Sequence, residues 1–167
     1  MICPVCKGGH SFDLFGTQGN VQLVYSAPAR ASKTPISIEC QKIHLNMVAG
    51  RPWIWIIDFA QMENRHYISM DLTRKLIGLI NTDHNSNLTA IYIIHPNFWL
   101  RNTFSLLKHL ISKQLYPKIR LFEGKEAGLL LELGSAGIEY KWLAWMGDRI
   151  KEKYVTDLKA NPVTQTW

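Results

Sequence analysis

Near its start the chain places two cysteines two residues apart, Cys3-Pro4-Val5-Cys6, with His10 shortly after. The short turn of a Cys-x-x-Cys pair aims both sulfurs at one point, and thiolates so placed can grip a tetrahedral ion. Two more ligands are needed, and the sequence has no second Cys-x-x-Cys. Cys40 and His44 can supply them if the segment around them is helical, because positions i and i+4 share one helix face. Cys3, Cys6, Cys40 and His44 therefore form a candidate Cys₃His set for a structural zinc ion, with His10 a further donor. Zinc would staple a Gly-rich leader that has little else to bury. The competing reading is two leader thiols and a core cysteine with no metal. A redox Cys-x-x-Cys fits less well, since the preceding strand and following helix of such motifs are missing.

Acid–base chemistry has one candidate pair. Asp58 closes an apolar run and His95 closes the next, so two parallel strands would bring them near each other at the carboxyl ends, where α/β proteins often place functional residues. A hydrolytic dyad also needs a nucleophile and an oxyanion site. Ser69 and Ser105 fall in helical positions without that context, and the chain lacks G-x-S-x-G, G-x-x-x-x-G-K-[ST] and a strand-linked G-x-G-x-x-G. No catalysis is expected. Asp58 reads as a strand-terminating acid that bonds nearby backbone.

The elements that would position these residues follow from periodicity. Val21–Ser26 suits a strand. Residues 27–35 read as a loop, and 36–49 as a helix stopped by Gly50-Arg51-Pro52. Residues 53–59 are an almost wholly apolar run, too short for a buried helix and right for a central strand. A polar connection covers 61–67. Ser69 caps a helix over 70–81, with Asp71 suiting its dipole. Residues 82–87 form a polar turn, 89–94 a second buried strand and 118–122 a third. A short helix follows at 125–133, a turn at 134–137 and a closing helix at 142–158. Strands alternating with helices imply an α/β fold, mainly parallel, with helices on the sheet faces.

Residues 97–112 read as one amphipathic helix. Leu100, Phe104, Leu107 and Ile111 share a face, Phe98 and Trp99 add aromatic bulk, and Arg101, Ser105, Lys108 and Ser112 form the opposite row. From His84 to Leu121 the cations Arg101, Lys108, Lys113, Lys118 and Arg120 meet no acid in sequence. The whole chain carries +6 with a pI near 9.3, which favours anionic partners: acidic lipid, an acidic protein surface or nucleic acid. Nucleic acid is disfavoured, because the aromatics are interleaved with aliphatics as in a core and not spaced as stacking platforms. The apolar content of 47% and charged content of 19% describe a globular chain of 167 residues, one domain by default.

Several segments in order resemble the CRAL-TRIO lipid-binding domain. They are Gly50-Arg51-Pro52, Trp53-Ile-Trp-Ile-Ile-Asp58-Phe59, the helix at 70–81, Asp83 to Leu88, Ala90-Ile-Tyr-Ile-Ile-His95-Pro96, Phe98-Trp99, Leu107 to Ser112 and Lys118-Ile119. The His95-Pro96 form is most similar to the divergent branch that includes the BCH domains of Rho GTPase-activating and scaffold proteins. The resemblance spans about residues 36–138. It implies a non-enzymatic module that holds a lipid or other hydrophobic molecule between the sheet and helix 97–112, with Phe98, Phe104, Leu107 and Ile111 facing the ligand. By their charge the five cations suit an anionic membrane or, equally, an acidic partner protein. Divergent members often act through protein contacts, so the alternative it implies is a scaffold meeting a partner such as a small GTPase. His95 then reads as a family turn residue. The segment at 83–88 lacks the family's tyrosine-proline-glutamate-arginine, and the family's inositol-headgroup residues are not placed on this chain.

The expected organisation is a Cys/Gly-rich leader at 1–20, the CRAL-TRIO-like domain at 21–160 and a tail at 161–167. The three cysteines fit a reducing setting, so the expected location is intracellular, either cytoplasmic or peripheral to a membrane. No apolar run reaches the roughly 20 residues that span a bilayer, and the first residues lack the layout of a signal peptide.

Overall fold

Trp53–Asp58 has almost no polar atom outside its last residue, so it is stable only with both faces covered, and it forms the middle strand of a five-stranded sheet. In the computed structural model, which describes residues 3–30, 37–63, 66 and 69–160, the strands are β1 (Asp13–Gln18), β2 (Val21–Ser26), β3 (Trp53–Asp58), β4 (Leu88–Ile94) and β5 (Ile119–Phe122). They lie side by side in chain order. β1 and β2 are antiparallel; β2 to β5 are parallel. The parallel strands are joined by α1 (Ile38–Met47), α2 (Met70–Leu79) and α3 (Phe98–Leu107).

The leader is less loop-like than its glycine content implies. β1 occupies its second half, turning into β2 through Gly19-Asn20, where Gly19 takes a φ of +59°. A two-residue Gly-Asn link between apolar runs is a hairpin signal. It was legible but diluted by the polar residues of β1. The expected loop at 27–35 and connection at 61–67 fall partly outside the described residues, and the tail at 161–167 falls wholly outside them.

Each crossover helix starts on a hydroxyl or amide cap. Ser37, Ser69 and Asn97 accept bonds from the N–H groups of Cys40, Leu72 and Leu100. α2 ends in a π-helical turn, Ile80–His84, where the sequence pattern had given way to a polar turn. The turn aims Asn81 across the molecule: its Nδ2 donates to the Leu110 carbonyl at 2.9 Å, and its Oδ1 accepts from the Ser112 N–H at 3.1 Å. The chain after α3 is thereby tied to the end of α2. α3 is shorter than its periodicity. It stops at Leu107, passes through a 3₁₀ turn, Lys108–Leu110, and Ile111 is extended.

The chain forms two compact units, residues 1–123 and 124–167. The first unit has a core of Val24, Leu45, Val48, Trp53, Trp55, Ile80, Leu88, Ile91, Ile93 and Leu115. The second holds α4 (Glu126–Ser135) and α5 (Tyr140–Ala160). Gly134 lets these two helices approach closely, since a Cβ there would lie 3.2 Å from a Leu143 methyl. Gly137, at φ +105°, ends the turn between them. No helix among the described residues is long and apolar enough to cross a membrane.

Candidate functional site

Alternation along β3 and β4 directs Trp55, Ile57, Ile91 and Ile93 to the face under α2 and α3. Between that face and the helices lies a cavity of about 300 Å³. Its roof includes Leu76 and Ile77 of α2 and Leu100, Thr103, Phe104 and Leu107 of α3, and the wall beyond β2 includes His10, Ser11 and Phe12. Met70 and Trp99, at the starts of α2 and α3, line the cavity yet are 37% and 43% exposed, so they mark its mouth. Within the lining, the Trp55 indole N–H donates to Ser26 Oγ at 2.9 Å.

Of the four side chains expected to face a ligand, Phe104, Leu107 and Ile111 line this cavity. Phe98 is 78% exposed and lies outside the lining. Trp99 and Leu100 point inward instead, because the helix begins at Phe98 and its first turn sets the phase. The basic residues are dispersed. Arg101 pairs with Glu123, the acid just beyond the acid-free stretch. The Lys118 ammonium donates to the Asn85 carbonyl at 2.5 Å, and the Arg120 guanidinium sits over the Phe122 ring at 4.6 Å. Lys108 and Lys113 are exposed.

The second cluster is the Cys/His group. Cys3, Cys6, Cys40 and His44 are all buried, and their ligand atoms lie within 4.8 Å of one another. Cys3 Sγ is 3.5 Å from Cys40 Sγ, Cys6 Sγ is 3.3 Å from His44 Nε2, and Cys40 Sγ is 3.5 Å from the same nitrogen. Bonds of about 2.3 Å to sulfur and about 2.0 Å to nitrogen in a tetrahedron separate donors by roughly 3.5–3.8 Å, so the close pairs need to shift only slightly. The four groups can hold a metal ion. The Lys7 and Gly9 N–H groups bond back to the Cys3 and Cys6 carbonyls, both at 2.8 Å, which curls the chain around the two sulfurs. Lys7 and Gly8 take positive φ there, at +50° and +80°. His10 Nδ1 lies 3.1 Å from Cys40 Sγ.

Burial would raise the Cys6 thiol, but hydrogen bonds at the turn, chiefly backbone ones near His10 and Gly8, hold it below the usual 9.0. Cys40 is pushed up to about 12, first by burial and then by the neighbouring sulfurs. Burial, assisted by His10, lowers His44, so its imidazole stays neutral and able to bind a cation.

The third cluster is Tyr25, Asp58 and His95. Asp58 points to the sheet face opposite the cavity and is fully buried. Its Oδ2 accepts from the Tyr25 hydroxyl at 2.5 Å; its Oδ1 lies 2.8 Å from His95 Nδ1 and accepts from the Ala60 N–H at 2.9 Å. Burial alone would raise the carboxyl, but the His95 and Tyr25 bonds overcome that and hold it below its usual 3.8. His95 has a φ of +51°, a left-handed geometry uncommon outside glycine, directly before Pro96 and the Asn97 cap. Sequence spacing brought Asp58 and His95 together; Tyr25 was missed, because nothing marks one strand tyrosine as an acid's partner. Ser69 is engaged as the α2 cap and Ser105 is exposed on α3.

The sequence profile of the divergent CRAL/TRIO domain matches residues 26–128, more than half of the 167-residue chain. The chain belongs to this family. CRAL/TRIO domains bind lipids or other hydrophobic molecules. A Rho GTPase-activating protein of Dictyostelium discoideum, gacY, is 25% identical over 75 residues. The match covers 45% of this chain and 10% of that protein. The crystal structure of Sfh5 aligns with a TM-score of 0.45 at 10% identity, over 67% of this chain and 47% of that one.

Proposed function

We propose that this CRAL/TRIO domain binds a lipid or another hydrophobic molecule in the cavity under α2 and α3, without catalysing a reaction. The observation that carries this reading is the cavity itself: about 300 Å³, roofed and floored by Trp55, Ile57, Ile91, Leu100, Phe104 and Leu107. That volume is at the lower end of ligand pockets, about 300–1,000 Å³, and suits one acyl chain or a compact apolar molecule. Exposed Phe98 and Trp99 beside the mouth, with exposed Lys108 in the 3₁₀ turn that follows α3, support delivery from an anionic membrane surface. Zinc at Cys3, Cys6, Cys40 and His44 is the second part of the proposal, in a structural role. Three thiolates and an imidazole favour zinc over harder cations.

Lipid mass spectrometry on natively purified protein tests the first part. A co-purifying amphiphile, lost in the cavity-filling variant Thr103→Trp, is the expected result. Protein that carries no amphiphile and takes none from anionic vesicles overturns it. A second reading, contact with a small GTPase, draws on the partial match to gacY. Retention of a small GTPase by both the native chain and Thr103→Trp, with no lipid in either, would favour it.

A further inference from the structure

The Cys/His cluster and the cavity share a wall. Residues 3–12 have no strand or helix of their own; Cys3 and Cys6 converge on α1, and Ser11 Oγ accepts from the Ala27 N–H at 2.8 Å. Three of them, His10, Ser11 and Phe12, line the cavity, as does Gln41, the neighbour of Cys40 on α1. Two contacts join cluster to wall. The His10 ring, itself part of the lining, places Nδ1 3.1 Å from Cys40 Sγ. The Phe12 ring stacks on His44, with centroids 5.2 Å apart and planes at 15°, and meets the Trp55 ring edge-on at 5.8 Å. Trp55 is cavity floor.

We propose that the metal at Cys3, Cys6, Cys40 and His44 fixes the leader wall of the cavity, so that metal occupancy controls retention of the hydrophobic ligand. The inference rests on the cavity and zinc readings above. A divalent ion draws the three sulfurs and the imidazole into one tetrahedron, pinning residues 3–6 to α1. His44, held through Nε2, keeps its ring plane fixed and gives Phe12 a rigid surface to stack on. His10 can donate Nδ1–H to the Cys40 thiolate, an outer-shell bond that also sets the orientation of a wall residue. Without the ion, the thiols are only weak hydrogen-bond partners for one another, so the hold of residues 3–6 on α1 loosens. Phe12 then keeps its Trp53 and Trp55 contacts but loses the fixed His44 plane, and the wall loosens beside Trp55.

The test uses the full chain and a naturally fluorescent polyene fatty acid, cis-parinaric acid, as probe. Protein isolated without added metal is expected to contain about one zinc per chain. Stripping it with a chelator should weaken probe binding about tenfold or more. Hydrogen exchange of residues 9–12 should accelerate at the same time, and zinc addition should restore both. His44→Cys, which preserves a tetrahedral donor set, should keep zinc, while Cys40→Ser should lose it. Unchanged probe affinity and unchanged exchange at 9–12 in zinc-free, folded protein overturn the inference while leaving the zinc and cavity readings intact. Protein that neither contains nor takes up zinc overturns the metal reading and this inference with it. If zinc-loaded protein ignores the probe, the cavity reading falls and retention control falls with it, whereas the exchange result still decides whether the metal fixes residues 9–12.

Discussion

Two buried polar clusters sit on opposite sides of the same sheet, and they are finished to different degrees. At Asp58 the chain supplies every partner: Tyr25 and His95 each bond one carboxylate oxygen, and the Ala60 N–H shares the His95 side. The acid is ionised, satisfied and shut away from the cavity. At Cys3, Cys6, Cys40 and His44 the close contacts within the group are sulfur to sulfur or sulfur to imidazole. Such contacts are poor hydrogen bonds but good coordination distances. The Asp58 cluster is complete with the chain's own hydrogen bonds, whereas the converging sulfurs and imidazole can also hold a cation. Asp58 and His95, the residues most suggestive of catalysis in sequence, are bonded to each other with Asp58 fully buried on the face opposite the cavity.

Metal removal should be the largest perturbation and should separate the clusters. Chelation is expected to lower the thermal midpoint more than any single substitution outside the cluster, since structural zinc contributes on the order of 10 kcal/mol in small sites. Calorimetry with and without chelator checks this; equal midpoints would make the cluster a plain thiol core. Next comes Asp58→Ala, which strands Tyr25 and His95 and should destabilise by about 3–5 kcal/mol in denaturant unfolding while leaving zinc content unchanged.

The pH dependence has a definite sign. A carboxyl held below its unfolded value contributes stability that is present above that value and is lost as pH falls through the folded one. Asp58→Asn should therefore flatten the stability curve below about pH 4, and an unaltered acid limb would show that the network does not matter there. Smaller again is Tyr25→Phe, which removes one donor to the buried acid: about 1–3 kcal/mol. The smallest effect is expected from Arg101→Gln. Its pair with Glu123 is exposed, so the unfolding midpoint should not move. Any consequence should appear in sedimentation with anionic vesicles.

Legibility in the sequence followed the range of the interactions. The apolar runs that became β3 and β4, the capped starts of α2 and α3, and the Gly50-Arg51-Pro52 stop are local, and each was readable from a few neighbouring residues. The Cys/His set was assembled from spacing at two places because i and i+4 on a helix is also a local fact. What misled was length. Residues 97–112 keep a helical pattern throughout, yet the helix ends at Leu107, because Asn81 captures the Leu110 carbonyl and the Ser112 N–H. β1 was hidden because an edge strand need not be apolar.

Sequence alone therefore determined the order of elements from β2 onward, the mainly parallel α/β class, the resemblance to CRAL-TRIO domains and the four residues of the Cys/His cluster. Only the tertiary structure decided that Phe104 and Leu107 face a cavity while Phe98 faces out, that Tyr25 completes the Asp58 network, and that His10 and Phe12 join the cluster to the cavity wall. The reason is physical. Periodicity reports which face of an element is apolar, but whether that face meets another side chain or an empty space depends on residues far away in the chain.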